Sequence, residues 1–210
     1  MLSITNFKKQ YAGSTEPVLF INQIQLDTGI YWIKGENGSG KTSLMKSIAG
    51  LIPFDGSIAV TNFDIRENRK AYTQSVNYAE AEPQYPTFLT GKELIDFYNS
   101  TKAGKFPEAL CTQLGVDKFM HQKTATYSSG MLKKLSLVLA FIGNPTLVLL
   151  DEPLIALDVA AVEILQAAIR QYSLVGISFI ITSHQLFNNE LVSAACSLVI
   201  KNKTLQKETI

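Results

Sequence analysis

Apolar positions along the chain first follow a strand-like pattern. Leu2 to Phe7, Val18 to Leu26, Ile30 to Lys34 and Ser57 to Val60 are short apolar or alternating runs separated by turn residues, and each predicts a strand. Between the third and fourth, Thr42 to Ala49 predicts a helix closed by Gly50. Thr61 to Ser75 is polar and charged and is expected to be a solvated connection. Val76 to Tyr78 resumes as a strand and gives way to the Glu- and Pro-rich stretch Glu80 to Thr87.

The spacing then becomes helical. Thr90-x-x-Glu93 is a capping box opening a helix over Lys92 to Asn99, and Pro107 and Gly115 bracket a second helix. A third begins at Ser128, with Met131, Leu132, Leu135, Val138, Leu139 and Ile142 on one face. After Pro145 the order is strand, helix, strand: Thr146 to Leu150, Val159 to Tyr172, Ser178 to Thr182. Strands alternating with helices predict an α/β fold, with a β-rich face contributed by the N-terminal segments. At 210 residues there is room for one composite domain with an appended subdomain.

One loop in this pattern carries chemistry. Gly35-Glu36-Asn37-Gly38-Ser39-Gly40-Lys41-Thr42 fits G-x-x-x-x-G-K-[ST] and lies between a predicted strand and a predicted helix. Such a loop lets backbone amides at a helix start converge on phosphate oxygens. Lys41 would reach the β- and γ-phosphates, Thr42 would give a hydroxyl to Mg²⁺, and Ser43 continues the same turn. A nucleoside triphosphate is therefore the expected ligand. The apolar run Leu147 to Leu150 ends abruptly in Asp151-Glu152-Pro153, which puts two acids at the carboxyl edge of a buried strand, where α/β sheets hold ligands. Asp151 is the expected Mg²⁺ partner and Glu152 the expected general base toward the attacking water. Ser128, Ser129 and Gly130 open an amphipathic helix, which suits either a second anion site or an ordinary helix cap.

Charge and composition narrow the classes. Lysine and arginine total 19 against 18 acids, so no global basic field draws the chain to nucleic acid. Cys111 and Cys196 lack metal-type spacing and are expected to be buried thiols of a reducing compartment. Met1 to Tyr11 lacks the apolar centre of a signal peptide, and the longest apolar runs fall short of the about 20 residues a bilayer span needs.

Taken together these segments resemble the ATP-binding subunits of ABC transporters. Tyr127-Ser128-Ser129-Gly130-Met131 resembles the family's signature motif, Asp151-Glu152-Pro153 its Walker B acids, Ala156-Leu157-Asp158 its D-loop and Thr182-Ser183-His184 its switch-histidine segment. The resemblance runs from Tyr11 to His184. It implies a P-loop NTPase core with a parallel sheet, an N-terminal antiparallel β subdomain and an inserted helical subdomain at 81–145, with 1–80 and 146–210 forming the core. It implies that His184 orients the attacking water beside the γ-phosphate and that Asp158 joins the nucleotide site. Tyr11, 24 residues ahead of Gly35, stands where the family stacks an aromatic on adenine, although a plain turn aromatic reads equally well. It further implies ATP and Mg²⁺ as ligands and a homodimer or pseudo-symmetric heterodimer that shares composite sites. The resemblance also implies an integral membrane transporter subunit as partner, with this chain peripheral at the cytoplasmic face of the cell membrane. His121 has no such neighbours and is given no site role.

The pattern departs from the family in places. The glutamine that usually follows the strand at Val76 to Tyr78 is Ala81 here, and Glu80, Glu82 or Gln84 are the available substitutes. Ser129 and Met131 replace the commonest glycine and glutamine of the signature, a form that resembles the export branch, and Val159 replaces a frequent proline. Gln84, Tyr85, Pro86, Phe88 and Leu89 form either a docking surface for the membrane partner or packing under the helical lobe. Two other functions compete with a transport ATPase: a soluble ABC-type clamp and a nucleotide-gated module with little turnover. The chain shows neither the second nucleotide module nor the coiled-coil insertion usual in the clamp, while Ala81 favours the gated module.

Overall fold

Strand β1 (Leu2–Lys9) explains how the N-terminal face is built. Its alternation buries Leu2 and Ile4, then shifts by one residue so that Phe7 and Lys9 point inward. The shift falls at an irregularity between Thr5 and Lys8, where Asn6 adopts a left-handed φ of 50°. β1 pairs antiparallel with β2 (Leu19–Leu26) and with β4 (Asp55–Val60), and β5 (Phe63–Asp64) completes a four-stranded antiparallel sheet. The structure, a computed structural model, describes residues 1–102, 104–184 and 189–208.

The second sheet has six strands in the order β10-β9-β3-β8-β7-β6, comprising β3 (Ile30–Lys34), β6 (Val76–Ala79), β7 (Leu147–Asp151), β8 (Ser178–Thr182), β9 (Ala195–Lys201) and β10 (Thr204–Lys207). Five of these run parallel, and only the edge strand β10 is antiparallel to its neighbour. β7 and β8 are buried at every position, which is what continuous apolar runs dictate for strands covered on both faces. Their period of two divides the core. Leu147, Leu149 and Ile180 join the antiparallel sheet and helix α1 (Lys41–Ile48), while Val148, Leu150, Phe179 and Ile181 join the helices on the other face.

Between β6 and β7, which pair directly with each other (Val76↔Leu147), the chain makes α3 (Gly91–Thr101), α4 (Glu108–Gln113) and α5 (Ser129–Ala140). The capping box of α3 is formed at both of its hydrogen bonds, and Gly115 turns the chain after α4 with a φ of 70°. α5 is buried on more than the single expected face, taking in Lys133, Ser136 and Leu137 besides Leu135, Val138 and Leu139. It ends at Ala140, so Ile142 lies beyond it although fully buried. Helices α6 (Val159–Leu174) and α7 (Asn189–Ala194) follow.

Two expectations are corrected. Thr61 to Ser75 is exposed at most positions, as expected, but is not a plain connection: it holds β5 and helix α2 (Arg69–Ser75), where fully buried Tyr72 donates its hydroxyl to the Ile48 carbonyl at 2.6 Å. A single aromatic among polar neighbours is too sparse for periodicity, yet it anchors the end of α1. Cys111 is buried as expected, but Cys196 is exposed: it lies near the start of β9, on the face that becomes covered only from Leu198 onward. The hairpin of β9 and β10 had no expected counterpart. It turns through Asn202 and Lys203, both left-handed, and the Lys203 carbonyl accepts from the Phe20 amide at 2.8 Å, lacing one sheet to the other.

Candidate nucleotide-binding and catalytic site

The loop from β3 to α1 is shaped by glycines at the points where an L side chain would strain. Gly40 has a φ of 99° and a Cβ there would press on Val18 at 3.0 Å, so the helix can begin at Lys41 only after glycine. The Lys41 ammonium arches back over the loop, donating to the Gly35 and Glu36 carbonyls at 2.8 and 3.0 Å. Ser39 Oγ is buried without a hydrogen-bond partner among the described residues. Asn37 and Thr42 are exposed beside it, and the Tyr11 hydroxyl and Ser43 Oγ are 2.9 Å apart.

β7 delivers the two acids. Asp151 is buried, with Oδ1 accepting from the Thr182 hydroxyl at 2.5 Å and Oδ2 from the Tyr78 hydroxyl at 3.1 Å. Burial, reinforced by the Asp151 charge, pushes the Tyr78 phenol well above its ordinary range and keeps it a donor. Glu152 has a left-handed φ of 43° just ahead of Pro153, a conformation held by its amide donating to the Thr182 carbonyl and hydroxyl at 3.0 and 3.1 Å. Its Oε2 accepts from the His184 amide at 3.1 Å, while Oε1 is buried without a hydrogen-bond partner among the described residues, the His184 Nε2 standing 3.5 Å away. Buried carboxylate oxygens are normally satisfied, so this free lone pair is what a base toward water requires.

These groups converge. One cavity of about 400 Å³ is lined by Tyr11, residues 37–43, Asp151, Glu152 and His184, together with Val18 and Ile155, which the sequence did not single out. Gly35 faces a neighbouring cleft of about 840 Å³ that holds neither Asp151 nor Glu152. Thr42 and Asp151 also share a cavity of about 440 Å³ with Glu80, Ala81, Glu82 and Gln84. A hydroxyl and a buried carboxylate are hard oxygen donors of the kind Mg²⁺ takes, so the residues present fit that ion. Glu80 is engaged with Lys46 at 3.3 Å.

Ser128, Gly130 and Asp158 are brought together elsewhere, in a groove of about 530 Å³ that contains none of the phosphate loop. Ser128 caps α5 by accepting from the Met131 amide at 3.2 Å, yet it and Ser129 stay exposed. A Cβ on Gly130 would meet the Ala156 carbonyl at 2.9 Å, so the small residue lets the helix start abut the turn before α6. Asp158 caps α6 at 2.8 Å and pairs with Lys134 at 2.7 Å, and those bonds hold its carboxyl below the usual range.

Sequence reasoning missed several groups that support the site, Tyr78, Lys134, Lys133 and Trp32, and gave Thr182 no role of its own beside His184. The Trp32 indole donates to the carbonyl of Ser183, next to His184, at 3.3 Å. Lys133, 1 % exposed, donates to the carbonyls of Glu80, Ala81 and Asp151 at 2.8, 3.0 and 3.2 Å. Burial pushes its ammonium down to about 8, an effect opposed by Asp151, Glu152 and Glu82. The stretch from Leu135 to Ile142, apolar except at Ser136, was the available signal, since a lysine two residues before it has few ways to avoid burial.

Comparison with known proteins defines the class. The family model described as ABC transporter matches residues 24–155, and the chain belongs to that family. It is 28% identical over 214 residues to the uncharacterized ABC transporter ATP-binding protein YybJ of Bacillus subtilis, covering 100% of this chain and 95% of that one. It is 25% identical over 213 residues to mouse ATP-binding cassette sub-family A member 7, covering 97% of this chain but 10% of that protein, so the chain spans about a tenth of that relative's length. Among solved structures, the dimeric post-hydrolysis state of the ATP-binding cassette MJ0796 bound to ADP and Pi superposes with a TM-score of 0.81 at 18% identity, covering 100% of this chain and 98% of that one. No helix among the described residues is long and apolar enough to cross a membrane.

Proposed function

We propose that this chain binds Mg·ATP in the cavity beside the phosphate loop, hydrolyses it, and drives a separate membrane subunit by dimerising around the nucleotide. The observation that carries the reading is the convergence of Lys41, Thr42, Asp151, Glu152 and His184 on one cavity. Lys41 and the first amides of α1 bind the phosphates. Thr42 and Asp151 would hold Mg²⁺, which when bound neutralises phosphate charge. Glu152 accepts the proton of the attacking water at Oε1, and the His184 side chain orients that water. Tyr11 offers a ring face to the base.

The exposed start of α5 lies in a separate groove, so a second copy related by a twofold axis would bring Ser128 to Gly130 and Asp158 against the first copy's nucleotide. MJ0796, which shares this fold and is dimeric in a post-hydrolysis state bound to ADP and Pi, supports a two-copy arrangement. Ser128→Arg is expected to leave ATP binding within about threefold, because the groove is remote from the phosphate cradle, and to abolish ATP-dependent dimers on a sizing column. Dimers formed by that variant would overturn the two-copy site.

A position at the cytoplasmic membrane face follows from the family. Phe88 is 71% exposed, while Tyr85 and Leu89 pack against the core, so the loop after β6 presents one apolar side chain on a fixed base. Phe88→Asp should change stability by no more than about 0.5 kcal/mol and remove most of the membrane protein that copurifies with the chain. Undiminished copurification would refute this docking surface. Ala81 favours a second reading, a nucleotide-gated module with little turnover, which the Glu152 variant described below separates from the first.

A further inference from the structure

The loop after β6 reaches the cavity shared by Thr42 and Asp151, but the side chain at 81 is a methyl group that can neither ligate nor hydrogen-bond. Lys133 fills the gap from behind. It sits one turn into α5, four residues after Ser129 at the exposed helix start, and its three donors reach three carbonyls. Two of these, Glu80 and Ala81, belong to the loop, and the third, Asp151, ends the strand that carries both acids. Three N–H donors at one nitrogen require an ammonium. The charge is 1 % exposed, and burying it that deeply is costly unless the carbonyls hold it in place. A displacement of α5 is therefore transmitted to the Asp151–Glu152 peptide and to the loop at once. No other side chain among the described residues is shown joining all three elements.

We propose that Lys133 is a positioning residue for hydrolysis, linking the signature helix to the catalytic carboxylates and to the loop at Ala81 in place of a polar side chain at position 81. The inference rests on the hydrolytic reading of the site. It acts through backbone atoms, so it sets the placement of Glu152 and leaves the phosphate cradle alone.

The test uses the chain itself with Mg·ATP, measuring Kd by titration and kcat by phosphate release. Lys133→Met is expected to lower kcat by about 10- to 100-fold with Kd changed by less than about threefold, the range typical of lost outer-sphere support. Adding Ala81→Gln to that variant is expected to restore kcat at least about fivefold more than the same change does in the parent, since a side-chain amide re-creates the missing link. Should the Met variant fail to fold, Lys133→Gln, which keeps two N–H donors but neither the third nor the charge, is expected to lower kcat by about 3- to 10-fold with Kd again within about threefold. Turnover within about twofold of the parent, a parallel loss of binding and turnover, or no recovery with Ala81→Gln would each overturn the proposal. Glu152→Gln runs beside them: equal phosphate release from it and the parent sinks the hydrolytic reading, whereas a strong dependence on Glu152 with none on Lys133 sinks only the link.

Discussion

Glu152→Gln is expected to reduce ATP turnover by about 10²- to 10⁴-fold while Mg·ATP binding stays within a few fold. Glutamine matches glutamate in shape, and its carbonyl oxygen can still accept the His184 amide that now bonds Oε2 at 3.1 Å. The left-handed backbone at 152 is equally strained with either residue, so the fold should be indifferent to the change. What disappears is basicity at Oε1, the buried oxygen that has no hydrogen-bond partner among the described residues. Single-turnover phosphate release, measured together with equilibrium nucleotide binding, separates the two effects. Release at the parent rate would eliminate Glu152 as the base and leave the nucleotide-gated module as the better account.

Lys41→Ala should raise the Kd for Mg·ATP by about 10²-fold or more, and turnover at sub-saturating ATP should fall with it. Among the described residues the ammonium is the one lysine or arginine cation lining the cavity that holds Glu152 and His184, and its reach over the loop to Gly35 and Glu36 sets it beside the amides of the first helical turn. Alanine is an excellent helix residue at that position, and a thermal melt of the variant separates lost affinity from any loosening of the loop that Lys41 ties at Gly35 and Glu36. Calorimetric titration with and without Mg²⁺ reports the loss directly. Tight binding retained by the variant would contradict the role given to Lys41.

Much of this architecture was legible because local signals agreed with it. Ile30–Lys34, Ser178–Thr182 and the capped start of α3 coincide with their sequence boundaries, as buried parallel strands need unbroken apolar runs and a capping box is encoded within four residues. The phosphate loop and the two acids were visible as motifs. Their supports were not. Tyr78 and Thr182 reach Asp151 from strands on either side of β7, and Lys133 reaches back to a loop more than 50 residues earlier, so no window of sequence contains both partners. Tyr72 was missed for the same reason, since its burial depends on Ile48 rather than on its polar neighbours. The exposure of Cys196 followed from a strand that the sequence reading did not anticipate.

Strand β3, which ends in the phosphate loop, is flanked only by β8 and β9, so Ile30 finds its partners at Phe179 and Ala195. During synthesis, therefore, the edges of β3 stay unpaired until β8 and β9, about 150 residues further along the chain, have left the ribosome. Closing so long a loop is entropically slow, and a bare apolar strand invites association with other chains in the meantime. The nucleotide cradle is thus encoded well before the strands that brace it, and it becomes firm only when they arrive.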